Sequence, residues 1–266
     1  IYEVGKYRLG PAKLPETLHW FKWEAYSTWL SGMVLMVLIF YVGADTYLID
    51  PRISELSRIE AIVFGVSFIV GGWLLYELLC STAVVTNGPA VALCLTFGAA
   101  VASWALTSLF SGRGAFIHLG AMIGTIMAGN VFRVIIPSQR ALVAAIKAGE
   151  ELDPAWGAKA KLRSTHNNYF TLPILFIMIS NHYPMTYAHT HNWLILLALI
   201  VISAYARHFF NLRHRGIFRP SILVTSVIAT SALAWVLMPV RAITETEPAN
   251  SISDMEVTAL ISKHCV

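Results

Sequence analysis

The sequence predicts an all-α protein, a polytopic bundle of about seven helices crossing a membrane with the N-terminus inside and the C-terminus outside. Three observations predict it. Of 266 residues, 56% are hydrophobic and only 13% charged, about half the charge of a soluble domain. Mean hydropathy is +0.63. Seven windows reach the about 20 mostly apolar residues that a spanning helix needs: 20–43, 59–80, 89–110, 115–136, 169–187, 193–210 and 221–238. The net charge of +4 does not point to nucleic acid, because the basic residues flank apolar spans instead of forming one patch.

Basic residues set the orientation. With the N-terminus inside, the inner segments hold Lys6, Arg8, Lys13, Lys22, Arg133, Arg140, Lys147, Lys159, Lys161, Arg163, Arg207, Arg213, Arg215 and Arg219. The outer segments hold only Arg52, Arg58, Arg113, Arg241 and Lys263. An even number of spans would scramble this division.

The chain opens on a polar stretch, 1–13, with no visible cleavable signal. Trp20, Trp23, Tyr41 and Tyr47 lie near the ends of the first span, as interfacial anchors do. Glu24 and Glu77 fall at inner span ends, as proton acceptors, as partners for Arg133 or as interfacial carboxylates. Cys80 and Cys94 lie in or beside apolar spans and read as packing residues. In the fourth span His118, Met122, Thr125, Gly129 and Arg133 recur at three- and four-residue steps and share a helix face. Asn130 lies beside them, and Gly120 with Gly124 permits close approach of a neighbour. The alternatives are a core His118 satisfied by neighbours and an Arg133 that snorkels to the surface.

The longest connection, 137–163, reads as inner, with a short amphipathic helix over 141–148 on the membrane surface and a break at Asp153-Pro154. The fifth span is the focus. It is apolar in the middle, yet His166, Asn167 and Asn168 stand at one end and Asn181 and His182 at the other. Lipid makes unsatisfied polar groups costly, so these residues face partners, water or a ligand. The 181–192 connection holds His182, His189 and His191 and no Lys or Arg.

Residues 1–242 form the transmembrane domain, 243–253 a linker, and 254–266 a short amphipathic helix that runs into Cys265. This last stretch looks like the entry to a c-type cytochrome, where a first helix leads into Cys-x-x-Cys-His. The sequence stops before a second Cys, so a haem c domain is expected to follow, with Cys265 as its first haem-attaching Cys.

Together these features resemble the PuuD-type urate oxidases (urate hydroxylases) of bacteria, which join a multi-span N-terminal domain to a C-terminal cytochrome c. The matching segments are Trp23-Glu24-Ala25-Tyr26, Gly71-Gly72-Trp73-Leu74-Leu75-Tyr76-Glu77, Ile117-His118-Leu119-Gly120-Ala121-Met122, Arg163-Ser164-Thr165-His166-Asn167-Asn168-Tyr169 and Asn181-His182-Tyr183-Pro184. The resemblance implies a bacterial inner-membrane enzyme that oxidises urate to 5-hydroxyisourate, passing electrons to the cytochrome rather than to oxygen. It does not say which residues act.

Urate is a flat, mostly anionic purine that calls for a cation or amide donors, an aromatic wall and a base. An inner set, Glu77, Arg133, His166, Asn167 and Asn168, supplies substrate-binding groups and a base. An outer set, His118, Asn181 and His182, supplies a leaner site nearer the cytochrome. The expected catalytic residues are His118, His166, Asn181 and His182; the expected substrate-binding residues are Glu77, Arg133, Asn167 and Asn168. A haem b held between His118 and His182 would serve as a relay for an inner site. No spacing in the spans points to another metal. Two rival readings are a haem-bearing electron conduit for a quinol and a plain membrane anchor for a cytochrome.

Overall fold

The computed structural model describes residues 22–238. The described residues form ten α-helices with short π and 3-10 segments and no strand. The helix α1 (Lys22–Met36) runs on through a π segment, Val37–Val42, and is followed by α2 (Ala44–Tyr47), α3 (Arg58–Ser81) and α4 (Gly88–Leu109). Next, α5 (Gly112–Asn130) continues through a second π segment, Val131–Ile135, into α6 (Ile136–Ala148). The remainder is α7 (Pro154–Ser180), α8 (Pro184–Tyr187), α9 (Asn192–Arg213) and α10 (Ser221–Val236).

The starts of these helices follow from local chemistry. Ser57 and Glu60 form a reciprocal capping box ahead of α3. Asn87 and Ser111 cap α4 and α5 through their side-chain oxygens. Asp153 caps α7, with Pro154 in the first turn, where its missing N–H costs nothing. Gly149 ends α6 at φ 69°, a left-handed position that suits a residue without Cβ.

Five helical segments are long and apolar enough to cross a membrane: Lys22–Val42, Arg58–Ser81, Gly88–Leu109, Gly112–Ala148 and Asn192–Arg213. The other two expected spans are helices of a different character. The fifth is α7, which starts fifteen residues before the expected window, with a polar first half, and ends at Ser180. The seventh is α10, apolar but only 16 residues long. The expected 137–163 connection is also corrected. Its first part is α6, continuous with α5, its last part is the start of α7, and only 149–153 is loop. Asp153-Pro154 starts a helix here because the carboxylate caps it, so the pair is not a mere break.

Helix α5 is the centre of the bundle. Phe116, Leu119 and Ala115 on it are fully buried, against Leu48, Leu106, Phe110, Ile177 and Leu196 from other elements. The predicted glycine pair works as expected: a Cβ on Gly120 would press on Ile177, and one on Gly124 would touch Ile174, so α7 lies close. The predicted stripe of α5 faces α1 and α3. His118 meets Tyr41 and Gly65, Met122 meets Gly72, Thr125 accepts from the Trp29 indole at 3.0 Å, and Gly129 and Arg133 meet Trp73.

Cross-links tie one end of the bundle together. Ser111 donates from its backbone N–H to Leu48 O at 2.8 Å and from its hydroxyl to Tyr47 O at 2.6 Å, and Ser54 donates to Leu109 O at 2.6 Å. The exposed apolar side chains, such as Ile59, Leu75, Leu93, Phe97 and Trp235, suit a lipid-facing surface.

Candidate functional site

Two polar groupings sit near opposite ends of α5. The first joins α3, α5 and α7. The Arg163 guanidinium donates to both carboxylate oxygens of Glu77, at 3.0 and 2.9 Å, and to Asn130 Oδ1 at 3.0 Å. The Asn130 amide donates to Tyr76 OH at 2.9 Å and to Asn167 Oδ1 at 2.8 Å. Asn167 donates in turn to Met127 O at 3.0 Å. Tyr76 OH lies 2.9 Å from His166 Nδ1. Asn130 is fully buried, and Arg163 and His166 are 8% exposed.

This grouping brings together three predicted residues, Glu77, His166 and Asn167. It engages most of their hydrogen-bonding capacity with one another and with neighbouring groups, so it works first as a polar lock between three helices. Arg133 is not part of it and stacks on the Trp73 ring, 5.4 Å from its centroid. Asn168 points to α9, where it is 3.4 Å from an Arg207 nitrogen; beside it Tyr169 and His208 share a 2.7 Å hydrogen bond. Sequence reasoning passed over Tyr76 and Arg163, although both stand in the matching segments; an Arg counted as inner surface charge gave no sign of its partner Glu77.

The second grouping is at the other end. His118 is fully buried. Its Nδ1 donates to Gly114 O at 2.8 Å, and its Nε2, 3.2 Å from Tyr41 OH, accepts from that hydroxyl. Phe40, Tyr41 and Phe110 close around the ring. A Cβ on Gly65 would come within 2.6 Å of Nε2. His118 is thus a core histidine satisfied on both nitrogens. It does not fit as a haem ligand: its free lone pair is engaged, Gly65, Phe40, Tyr41 and Phe110 pack against the ring, and His182 is exposed. The expected haem b between these two residues has no support in the geometry.

Phe40 forms the wall between His118 and a cleft of about 320 Å³, lined by Ile39, Phe40, Tyr47, Arg113 and Asn181. Asn181 ends α7, and its Oδ1 is shielded from water without a hydrogen-bond partner. Arg113 donates to Tyr187 OH at 3.0 Å. Of the predicted outer residues, only Asn181 reaches the cleft. Arg113 and Tyr47 were legible in the sequence as an outer charge and an interfacial anchor, and nothing in their spacing placed them beside Asn181. Below the cleft, Arg58 on α3 bonds Asp45, and Arg52 bonds Asp50 at 2.8 Å, holding both carboxyls below the usual carboxylate range. Cys265, the linker 243–253 and the 254–266 segment lie outside the described residues. Among the described residues no group of His, Cys, Asp and Glu could hold a metal ion.

A helical bundle with apolar spans, a buried polar lock and a half-open cleft edged by Arg113 and Asn181 defines a class of membrane protein with polar groups inside the bundle. The chain belongs to the urate oxidase N-terminal family, whose match covers residues 1–238. That membership supports an oxidoreductase acting on urate. No curated protein and no solved structure matches the chain.

Proposed function

We propose that this protein is the membrane part of a urate oxidoreductase that converts urate and water to 5-hydroxyisourate, releasing two electrons and two protons. The electrons go one at a time to a c-type cytochrome, so oxygen is not consumed and peroxide is not formed. The family match over residues 1–238 carries the reading. Two further observations support the acceptor. Residues 254–266 resemble the approach to a haem-attachment motif at Cys265. In addition, α9 and α10 form a hairpin, with Thr225 near Tyr205 and Phe209 near Phe218. That hairpin brings Met238, the last described residue, back toward the end of the bundle that carries the cleft.

In this reading the bundle crosses a bacterial inner membrane seven times, with the N-terminus inside and the cleft, the 181–192 connection and the C-terminus facing the periplasm. The positive-inside distribution supports that orientation. A substrate near Asn181 then lies on the cytochrome side, and no relay across the membrane is required.

The test is urate-dependent reduction of the cytochrome by the full-length protein in membranes, with and without oxygen. Equal rates in both, with 5-hydroxyisourate as product, are expected. Peroxide formed in step with urate loss, or no urate loss at all, would overturn the reading.

A further inference from the structure

We infer that the cleft between the end of α1, α2, the start of α5 and the end of α7 binds a flat anionic heterocycle through Arg113, Asn181, Phe40 and Tyr47. The occupant is urate if the function proposed above holds, and to that extent the inference rests on it. Three features of the cleft point to this ligand chemistry.

The first is charge. Arg113 is half-buried, and no carboxylate pairs with it among the described residues. The acids bonded at this end are taken elsewhere: Asp45 by Arg58, Asp50 by Arg52 and Glu60 by Ser57. A half-buried guanidinium without a counter-charge favours an anion.

The second is Asn181, which lines the cleft and whose Oδ1, shielded from water, has no hydrogen-bond partner. Rotation of that amide toward the cleft would let Oδ1 accept from a ligand N–H. A ligand that presents both negative charge and N–H groups around a planar ring meets Arg113 and Asn181 together; a carboxylate, which only accepts, meets Arg113 alone.

The third is shape. Phe40 and Tyr47 stand edge to face, their centroids 6.3 Å apart, and give the cleft aromatic walls. Its volume of about 320 Å³ is at the small end for a ligand pocket, which suits one bicyclic ring.

Tyr187 is a positioning residue. Its hydroxyl accepts from Arg113 at 3.0 Å, its ring lies 5.4 Å from the guanidinium carbon, and its carbonyl accepts from the Asn192 amide at 3.0 Å. The short helix α8 thus holds the cation against the cleft.

The experiment measures KM for urate in the full-length protein, and binding of urate and of xanthine to the same protein. Arg113→Gln and Asn181→Leu are each expected to raise KM and the dissociation constant at least tenfold, and Arg113→Lys to raise them less. Tyr187→Phe is expected to raise KM several-fold with kcat changed little, because it loosens Arg113 without removing it. As a check against misfolding, a Tyr47→Trp reporter should change fluorescence as urate is added. Values within twofold of wild type for both Arg113→Gln and Asn181→Leu, or a silent reporter in a Tyr47→Trp variant that turns over urate, would overturn the cleft assignment and leave the proposed reaction standing. A wild type that binds urate and xanthine through Arg113 but oxidises neither would uphold the cleft and overturn the reaction.

Discussion

Arg163 shows how burial decides what a charged residue does. By position it belongs to the inner positive charges, yet its side chain is only 10% exposed and both Glu77 oxygens accept from it. Removing one partner of such a pair strands the other charge, at a cost of about 3–5 kcal/mol when fully buried. Glu77 keeps 23% of its side-chain exposure, so Glu77→Gln is expected to fall at the low end, about 3 kcal/mol, read as a lowered melting temperature in detergent. An unchanged melting temperature would show that the lock does not hold α3 to α7. His118 makes a matching point. Its Nε2 faces Gly65 so closely that Gly65→Ala must push the imidazole or Tyr41 aside. Overpacking of this kind costs about 1–3 kcal/mol, and thermal denaturation of that variant checks it. The sequence pattern showed that His118 shares a face with Met122 and Gly129; it could not show that the face was already filled.

Among the elements, the two π segments mark the places where helices turn a different face to their surroundings. Val37–Val42 includes Phe40, which lines the cleft, and Tyr41, which bonds His118. Val131–Ile135 follows Asn130 directly and carries Arg133 onto Trp73. Extra-residue turns of this type recur at functional sites, and no periodicity in the sequence announces them. The junction of α5 with α8 is as tight. A Cβ on Gly112 would collide with the Tyr187 carbonyl, so Gly112→Ala is expected to displace α8 and, through Tyr187, the Arg113 guanidinium. The predicted result is a raised KM for urate together with a loss of about 1–3 kcal/mol in stability. Lost stability with KM unchanged would separate α8 from the cleft. Helix α7 shows why its window was misplaced. Its first half is too polar for a hydropathy window to register, yet Arg163, His166 and Asn167 there are held by α3 and α5 and do not face lipid.

Across the whole molecule, the arrangement places the polar lock and the cleft at opposite ends of α5, with the last described helix running back toward the cleft. Orientation gives a direct check. A cysteine placed at Glu150, in the loop between α6 and α7, is expected to be shielded from a membrane-impermeant thiol reagent in intact cells, whereas one at Thr190 is labelled. The reverse pattern would invert the bundle and put the cleft on the cytoplasmic side, away from the proposed acceptor.

Composition and apolar run length determined by themselves that this is an all-helical protein suited to a membrane, because a bilayer demands long apolar helices with every backbone group bonded internally. The motif segments around Tyr76, His118, His166 and Asn181 likewise carried the family. Which polar residues remain open to a ligand was decided only by the tertiary structure. Glu77, His166 and Asn167 are polar residues as Asn181 is, but they meet complementary partners across α3, α5 and α7 and are largely engaged there. Asn181 meets Arg113 and two aromatic rings across a gap and keeps an oxygen unpaired. Hydrogen-bond satisfaction depends on contacts between residues far apart in the chain, and spacing along one helix cannot report it.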